Sequence, residues 1–223
     1  MAKEIPILFS TPMVQAILDG RKTMTRRIIK SRHESGMFQV CRRVTDGQVT
    51  VINSLDWNER NCDKDITCPY GQPGDILWVR ESAANLNVDF HSVEPYWIYK
   101  ADIQIKDQHG PVTWKPSIHM PKSASRIWLE VTKVRVERLQ DMDGATADEC
   151  DSLKEGIMKF HHGDGNYGYH WKGDMDGKNF VHPFYAFVDL WKYINGPESW
   201  EDNPFVWVVE FKVLSTTGKP EIN

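Results

Sequence analysis

The sequence predicts an α+β domain: a small curled sheet, mixed or antiparallel and at its limit a closed β-barrel, decorated by short helices. Three observations point there. Strand-like runs follow one another with few helical segments between them, so a parallel βαβ layering finds no support. The run RIWLEVTKVRVERL, residues 126–139, shifts the phase of its apolar alternation at Thr132-Lys133, and a bulge of that kind bends a strand and helps a sheet curl. The 223 residues, 40% hydrophobic and 26% charged, suffice for one core, so a single domain over 1–223 with insertions near 31–70 and 158–180 is expected.

Along the chain, Thr11-Pro12 followed by Met13, Val14, Ile17 and Leu18 reads as a short helix with a capping hydroxyl, an early proline and Gly20 as its stop. The cationic stretch GRKTMTRR, residues 20–27, is then the exit from that helix. MFQVCRRVTDGQVTVIN reads as two strands joined at Asp46-Gly47, a tight hairpin turn, and residues 54–70 as an irregular surface excursion. Gly71-Gln72-Pro73-Gly74-Asp75 is turn chemistry leading into the strand ILWVRE, with Trp78 and Arg80 on one face and Leu77 and Val79 on the other. PYWIYK, residues 95–100, is a further short strand.

Thr146-Ala147-Asp148-Glu149 fits a capping box, which predicts a helix from there to Glu155 with Gly156 as the stop. Residues 158–180 hold five glycines among His, Asp, Tyr and Trp and read as a long loop. A helix from Pro183 to Ile194 is expected to bury Phe184, Phe187, Trp191 and Ile194. FVWVVEFKV, residues 205–213, is a well-buried closing strand. No internal repeat is present.

The net charge of -4 argues against non-specific coating of nucleic acid, which rests on many phosphate contacts. Its distribution is uneven. From Arg21 to Arg43 there are eight Lys or Arg residues against the single acid Glu34, which predicts a local basic surface; the bland alternative is a solvated charged face. No apolar run has the length of a bilayer span, and MAKEIPILFS has no apolar h-region. A cytoplasmic chain with no membrane partner is the expectation. Cys41, Cys62, Cys68 and Cys150 form no CxxC pair and read as free thiols; a zinc site from the first three with a histidine is conceivable but lacks paired ligand spacing.

Lys22 and Thr25 are three residues apart, so a turn-like or helical conformation would bring their side chains to one side. A threonine hydroxyl needs a base, and a lysine amine serves when burial or the neighbouring Arg21, Arg26 and Arg27 lower its pKa. The same residues can instead grip phosphate with no bond made or broken. Glu155, at the end of the expected helix, sits where the helix dipole disfavours a carboxylate, and a raised pKa would make it a general acid. Arg80 beside Trp78 reads either as a base-stacking or anion-binding pair or as an arginine lying over a core tryptophan. Ser117 and His119, between Pro116 and Pro121, can present a hydroxyl and an imidazole to a cleft or form an ordered loop. His161, His162 and His170 with Asp164, Asp174 and Asp176 invite a metal, but Asp174-Met175-Asp176-Gly177 lacks the spacing of a calcium loop, and no metal or other cofactor is expected.

With these motifs assembled, the chain resembles the ASCH domain family, a branch of the PUA-like β-barrels. The family's signature GxKxxTxR is matched by Gly20, Lys22, Thr25 and Arg27. It is accompanied by the preceding helix, the turn and strand from Gly74 to Val79, the helix ending Glu155-Gly156 and the final VWVVEF strand. The longer phrases CPYGQPGDILWVRES, WKPSIHMPKSASR and LWKYINGPESWEDNPFVWVVEF are similar to those of phage- and prophage-encoded ASCH proteins, and together they cover most of the chain outside residues 31–65 and 158–180. The resemblance implies a small barrel with a cleft beside the signature and RNA or a modified nucleoside as ligand. Family members include a small amidohydrolase that deacylates N4-acetylcytidine, and others act as ribonucleases. By resemblance to the amidohydrolase, Lys22 is the activating lysine, Thr25 the nucleophile and Glu155 the acid. Gly20, Arg26, Arg27, Trp78, Arg80, Ser117 and His119 would line the cleft. A non-catalytic RNA-binding module and a ribonuclease are the alternatives.

Overall fold

The computed structural model describes residues 2–30, 37–42, 49–54, 66–86, 96–102, 112–142, 146–161, 167–171 and 179–221, with backbone alone for 37–42 and 52–54. The chain is α+β. Its main sheet takes strands from both ends of the sequence: β1 (Glu4–Leu8), β2 (Met24–Ile28), β6 (Ile76–Arg80), β9 (Trp128–Arg138) and β12 (Phe205–Ser215), in the order β1-β6-β9-β12-β2. β1 runs parallel to β6 and the other pairings are antiparallel, so the sheet is mixed. β3 (Met37–Arg42), β4 (Val49–Ser54) and β5 (Ile66–Thr67) form a three-stranded sheet. β7 (Ala83–Leu86) with β8 (Tyr96–Tyr99), and β10 (Met158–His161) with β11 (Tyr167–His170), form two hairpins. The helices are α1 (Thr11–Leu18), α2 (Asp151–Lys154) and α3 (Pro183–Asn195). Among the described residues no helix is long and apolar enough to cross a membrane.

The expected bulge is present. Glu210 pairs with Lys133 and the next residue, Phe211, with Val131, so Thr132 has no partner and β9 bends there. The consequence is visible at the edges of the sheet. Four strand spacings of about 4.8 Å would hold β1 and β2 roughly 19 Å apart in a flat sheet. Instead Arg27 on β2 donates Nη2 to the Leu8 carbonyl of β1 at 2.6 Å. The sheet therefore curls until its edges nearly meet. Among the described residues no ladder pairs β1 with β2, so the closed barrel of the sequence reading is replaced by a curl with one seam bridged by a side chain.

The concave side holds the largest core, with Ile7, Phe9, Leu77, Val79, Leu129, Val131, Trp207, Val209 and Phe211 packed against Val14 and Ile17 of α1. On the other side, Met24, Val206 and Val208 pack against Phe187, Leu190 and Trp191 of α3. Each fully buried large aliphatic side chain contributes about 1.5–3 kcal/mol, so the two faces together make β12 the centre of the fold.

Several expectations are corrected. Residues 24–28 are a strand despite three polar positions, since Thr25, Arg26 and Arg27 lie in a ladder with Val209, Val208 and Trp207. The α1 cap is Ser10, not Thr11, and it makes no side-chain cap bond. Helix α2 is a single turn capped by Cys150, because Thr146 to Glu149 form a separate turn. Residues 158–180 contain the β10–β11 hairpin, where Phe160 and His170 rings meet at 5.0 Å. Ile194 is 45% exposed, and Ala186, Phe187, Leu190 and Trp191 carry the buried stripe of α3. The Asp46-Gly47 turn lies outside the described residues.

Candidate functional site

Two glycines place Lys22. Gly20, at φ +71°, turns the chain out of α1, and the amides of Arg21 and Lys22 both donate to the Ala16 carbonyl at 2.9 Å. Gly156, at φ +98°, follows Glu155; a Cβ there would lie 2.8 Å from Ala16 Cβ and 3.2 Å from Lys22 Cβ. Only glycine lets the exit of α2 pass so close to the exit of α1. Lys22 and Glu155 are consequently bridge partners, and Thr23 N donates to Lys154 O at 2.9 Å.

The Lys22 side chain is fully buried, and its Nζ donates to Met24 O, Glu155 O and Glu155 Oε2, each at 2.8 Å. Burial pushes its pKa below the ordinary lysine value, and the adjacent Glu155 carboxylate opposes that fall without cancelling it. The other Glu155 oxygen, Oε1, accepts from Arg26 Nη1 at 3.2 Å. The helix-dipole reason expected for Glu155 as an acid does not hold, because a one-turn helix has little dipole. Its carboxylate is instead an acceptor shared by two cations.

Arg26, expected to line the cleft, is buried and held by three carboxylates. It donates to Glu137 at 2.7 Å and Asp151 at 2.8 Å besides Glu155, and its guanidinium lies 5.9 Å from the Phe187 ring centroid. Burial works against its charge, but Glu155, Glu137 and Asp151 outweigh it and hold Arg26 above its ordinary value. Arg135 continues the network to Asp151 at 2.7 Å, to Glu137 at 2.9 Å and to Glu210. Burial favours the neutral form of Asp151, but Arg26 and Lys154 reverse this and lower its pKa. Of the described cations of the basic run, Lys22 and Arg26 are buried, Arg21 pairs with Asp19 at 2.7 Å, Arg27 bridges the seam and Lys30 is exposed; Arg32, Arg43 and the Arg42 side chain lie outside the described residues.

Alternation along β2 sends Thr25 and Arg27 to the face opposite Met24 and Arg26. Thr25 is buried. Lys22 Nζ and the Arg27 guanidinium lie 5.7 Å and 5.3 Å from the centroid of the same Phe9 ring, so the Lys22–Glu155 pair and Arg27 share the seam end of β2. Thr25 lies in an extended strand rather than the turn-like or helical segment expected, and among the described residues no hydrogen bond joins its hydroxyl to Lys22 or Glu155. Tyr70 completes this corner, with its ring centroid 5.8 Å from Arg27. Burial lowers the Arg27 pKa, against the opposing influence of Tyr70 and Glu155, and its buried Nε has no hydrogen-bond partner.

Trp78, Arg80, Ser117 and His119 form a second group. Trp78 packs with Ile76 and Trp128, away from the Leu77 and Val79 core, and Arg80 lies 5.5 Å over its ring. Arg80 Nη2 donates to Ile118 O in the short 3₁₀ turn Ser117–His119. This is the arginine-over-core-tryptophan arrangement, and it sits on the opposite face of β6 from the Phe9 side. An open polar cleft of about 570 Å³ lies elsewhere again, lined by Lys133, Arg135, Glu137, Asp151, Lys154 and Glu210 among others; Lys22, Thr25 and Glu155 do not line it.

Sequence reasoning missed Phe9, Tyr70, Glu137 and Asp151. The spacing of Asp151 and Glu155, four apart on a helix, was the available signal for a paired acidic face. Among the described residues no three His, Cys, Asp or Glu side chains group to hold a metal. Cys62, the Cys41 side chain, His162, Asp164, Asp174 and Asp176 lie outside the described residues. Cys68 and Cys150 are free and buried, and burial pushes the Cys68 thiol up to about 12. Compared with protein-family models, with curated proteins and with solved structures, the chain matches none.

Proposed function

We propose that the chain is an RNA- or nucleoside-binding ASCH protein, a PUA-like barrel opened at the β1–β2 seam, that hydrolyses the amide of an acylated cytidine such as N4-acetylcytidine. One observation carries the reading: a fully buried lysine of lowered pKa is held 2.8 Å from a carboxylate, next to the strand that holds the threonine and arginine of the signature.

The proton inventory of the pair suits the chemistry. Passing one proton from Lys22 Nζ to Glu155 Oε2 gives an amine and a carboxylic acid with no change in total charge. The amine then takes the Thr25 hydroxyl proton as Oγ bonds to the acyl carbonyl carbon. The tetrahedral intermediate collapses as Glu155 delivers its proton to the exocyclic nitrogen, the C–N bond breaks and cytidine leaves. Thr25 carries the acyl group, and the pair is again ammonium and carboxylate. Water completes the cycle through the same two groups, releasing the acid and restoring the Thr25 hydroxyl.

Incubating the protein with N4-acetylcytidine is expected to release cytidine and acetate in equal amounts, followed by chromatography. Thr25→Ala and Lys22→Met should abolish release in variants whose circular dichroism matches the parent. Turnover unaffected by both changes rejects the mechanism. A second reading, RNA binding without catalysis, is favoured by the three acceptors around Lys22 Nζ, which satisfy every proton of a structural ammonium. It predicts RNA retention that weakens with salt and with Arg27→Ala, and no product.

A further inference from the structure

We infer that Tyr70 and Arg27 form a clamp for a planar ligand at the seam, with Tyr70 as the aromatic wall and Arg27 Nε as the donor to a ligand oxygen. The inference rests on the reading of this corner as a nucleoside site and names the half of that site that holds the base.

Arg27 is the only residue that ties the two sheet edges together by a side chain among the described hydrogen bonds, and it does so with Nη2 alone. Its Nε is buried and has no acceptor. A buried donor without an acceptor is rare in a native fold and marks a place where a partner belongs. The guanidinium stands between two rings, 5.3 Å from Phe9 and 5.8 Å from Tyr70. Phe9 is buried in the core, whereas Tyr70 packs against that core from its edge and is only half-buried.

The wall is fixed before any ligand arrives. Tyr70 precedes Gly71, which has φ +87° and where a Cβ would fall 2.9 Å from the Asp75 side chain and 3.0 Å from Ile5 Cδ1. Asp75 in turn accepts from Lys3 N at 2.8 Å and Gln72 N at 3.0 Å, and Gly74 N donates to Val131 O at 2.8 Å. The turn that follows Tyr70 is thus pinned to the strand end of the core, so little backbone ordering is needed on binding. A ring to stack on and one unsatisfied donor in the same corner fit a flat ligand bearing an acceptor oxygen. For the reading above, that ligand is the pyrimidine, with its ring carbonyl toward Arg27.

The test separates binding from turnover. Cytidine and N4-acetylcytidine are titrated by calorimetry into the Thr25→Ala protein, and into that protein carrying Tyr70→Leu, Tyr70→Phe or Arg27→Lys. Tyr70→Leu should weaken both ligands by roughly ten- to hundred-fold, the worth of one stacked base. Tyr70→Phe, which keeps the ring, should bind within about three-fold of the parent, and Arg27→Lys, which keeps the charge and loses the Nε donor, should follow Tyr70→Leu. Equal affinity across all four proteins overturns the clamp, as does absence of binding by the Thr25→Ala parent. Product formation by the unmodified protein is scored apart: binding without hydrolysis sinks the amidohydrolase and leaves the clamp standing.

Discussion

Replacing Glu155 by glutamine keeps the shape of the side chain and removes the carboxylate that Lys22 faces at 2.8 Å. Lys22 is fully buried, so its ammonium would then be held by neutral acceptors alone. Breaking a buried ion pair from one side costs about 3–5 kcal/mol. The backbone acceptors Met24 O and the carbonyl of residue 155 remain, which places the expected loss near the lower end, about 3 kcal/mol. For a chain of this size that corresponds to a melting temperature lower by roughly 6–12 °C. The pH dependence identifies the cause. The folded pKa of Lys22 is below its unfolded value of 10.5, so between the two the unfolded chain binds a proton that the folded one lacks, and stability rises with pH. Glu155→Gln lowers the folded value further. Between the two folded values the deficit against the parent shrinks by about 1.4 kcal/mol per pH unit as pH rises. Urea denaturation of both proteins at a series of pH values below the unfolded lysine value of 10.5 measures this difference directly. A deficit that stays below about 1 kcal/mol, or that does not change with pH, refutes the account of Lys22 as a buried lysine of lowered pKa.

Gly156→Ala adds a methyl 2.8 Å from Ala16 Cβ at a backbone φ of +98°, and a cost of about 2–4 kcal/mol is expected from strain and crowding, read as a lower urea midpoint. Thr132→Gly deletion of the side chain at the bulge should leave stability within about 1 kcal/mol, whereas removal of residue 132 altogether should lower it by more, because the register beyond it would slip and invert the faces of β9. Cys68, with its thiol raised to about 12, should resist alkylation at neutral pH in the folded protein and react once guanidinium is added, as followed by mass spectrometry of the peptide.

The parts of the fold legible in the sequence are those where one physical pattern acts alone. Apolar alternation and its slip at Thr132-Lys133 marked β9 and its bulge, and strict apolar alternation on one face marked β12. Proline early and glycine late marked α1. Strand β2 was hidden because its ladder residues Thr25, Arg26 and Arg27 are polar or charged, and the acids that make Arg26 tolerable in the interior, Glu137, Asp151 and Glu155, stand more than a hundred residues away. No local window contains that compensation. For the same reason Lys22 and Glu155 were paired through the family resemblance, while the contact itself arises from two helix exits packed against each other at Gly156. Tyr70 escaped notice because nothing in CPYGQPGD says that the following turn aims a ring across the sheet's seam.

The ion pairs that join Lys22, Glu155, Arg26, Asp151, Glu137, Arg135 and Glu210 bear on how this protein can change over generations. At its inner end, where Lys22, Arg26 and Glu155 are shut off from solvent, a single neutral replacement strands a charge of the opposite sign in the interior, while Arg135, Glu137, Asp151 and Glu210 line the open cleft. Drift at 22, 26 and 155 must therefore proceed in matched steps, and in any lineage descended from this chain an apolar residue at 26 should arrive together with losses among 137, 151 and 155.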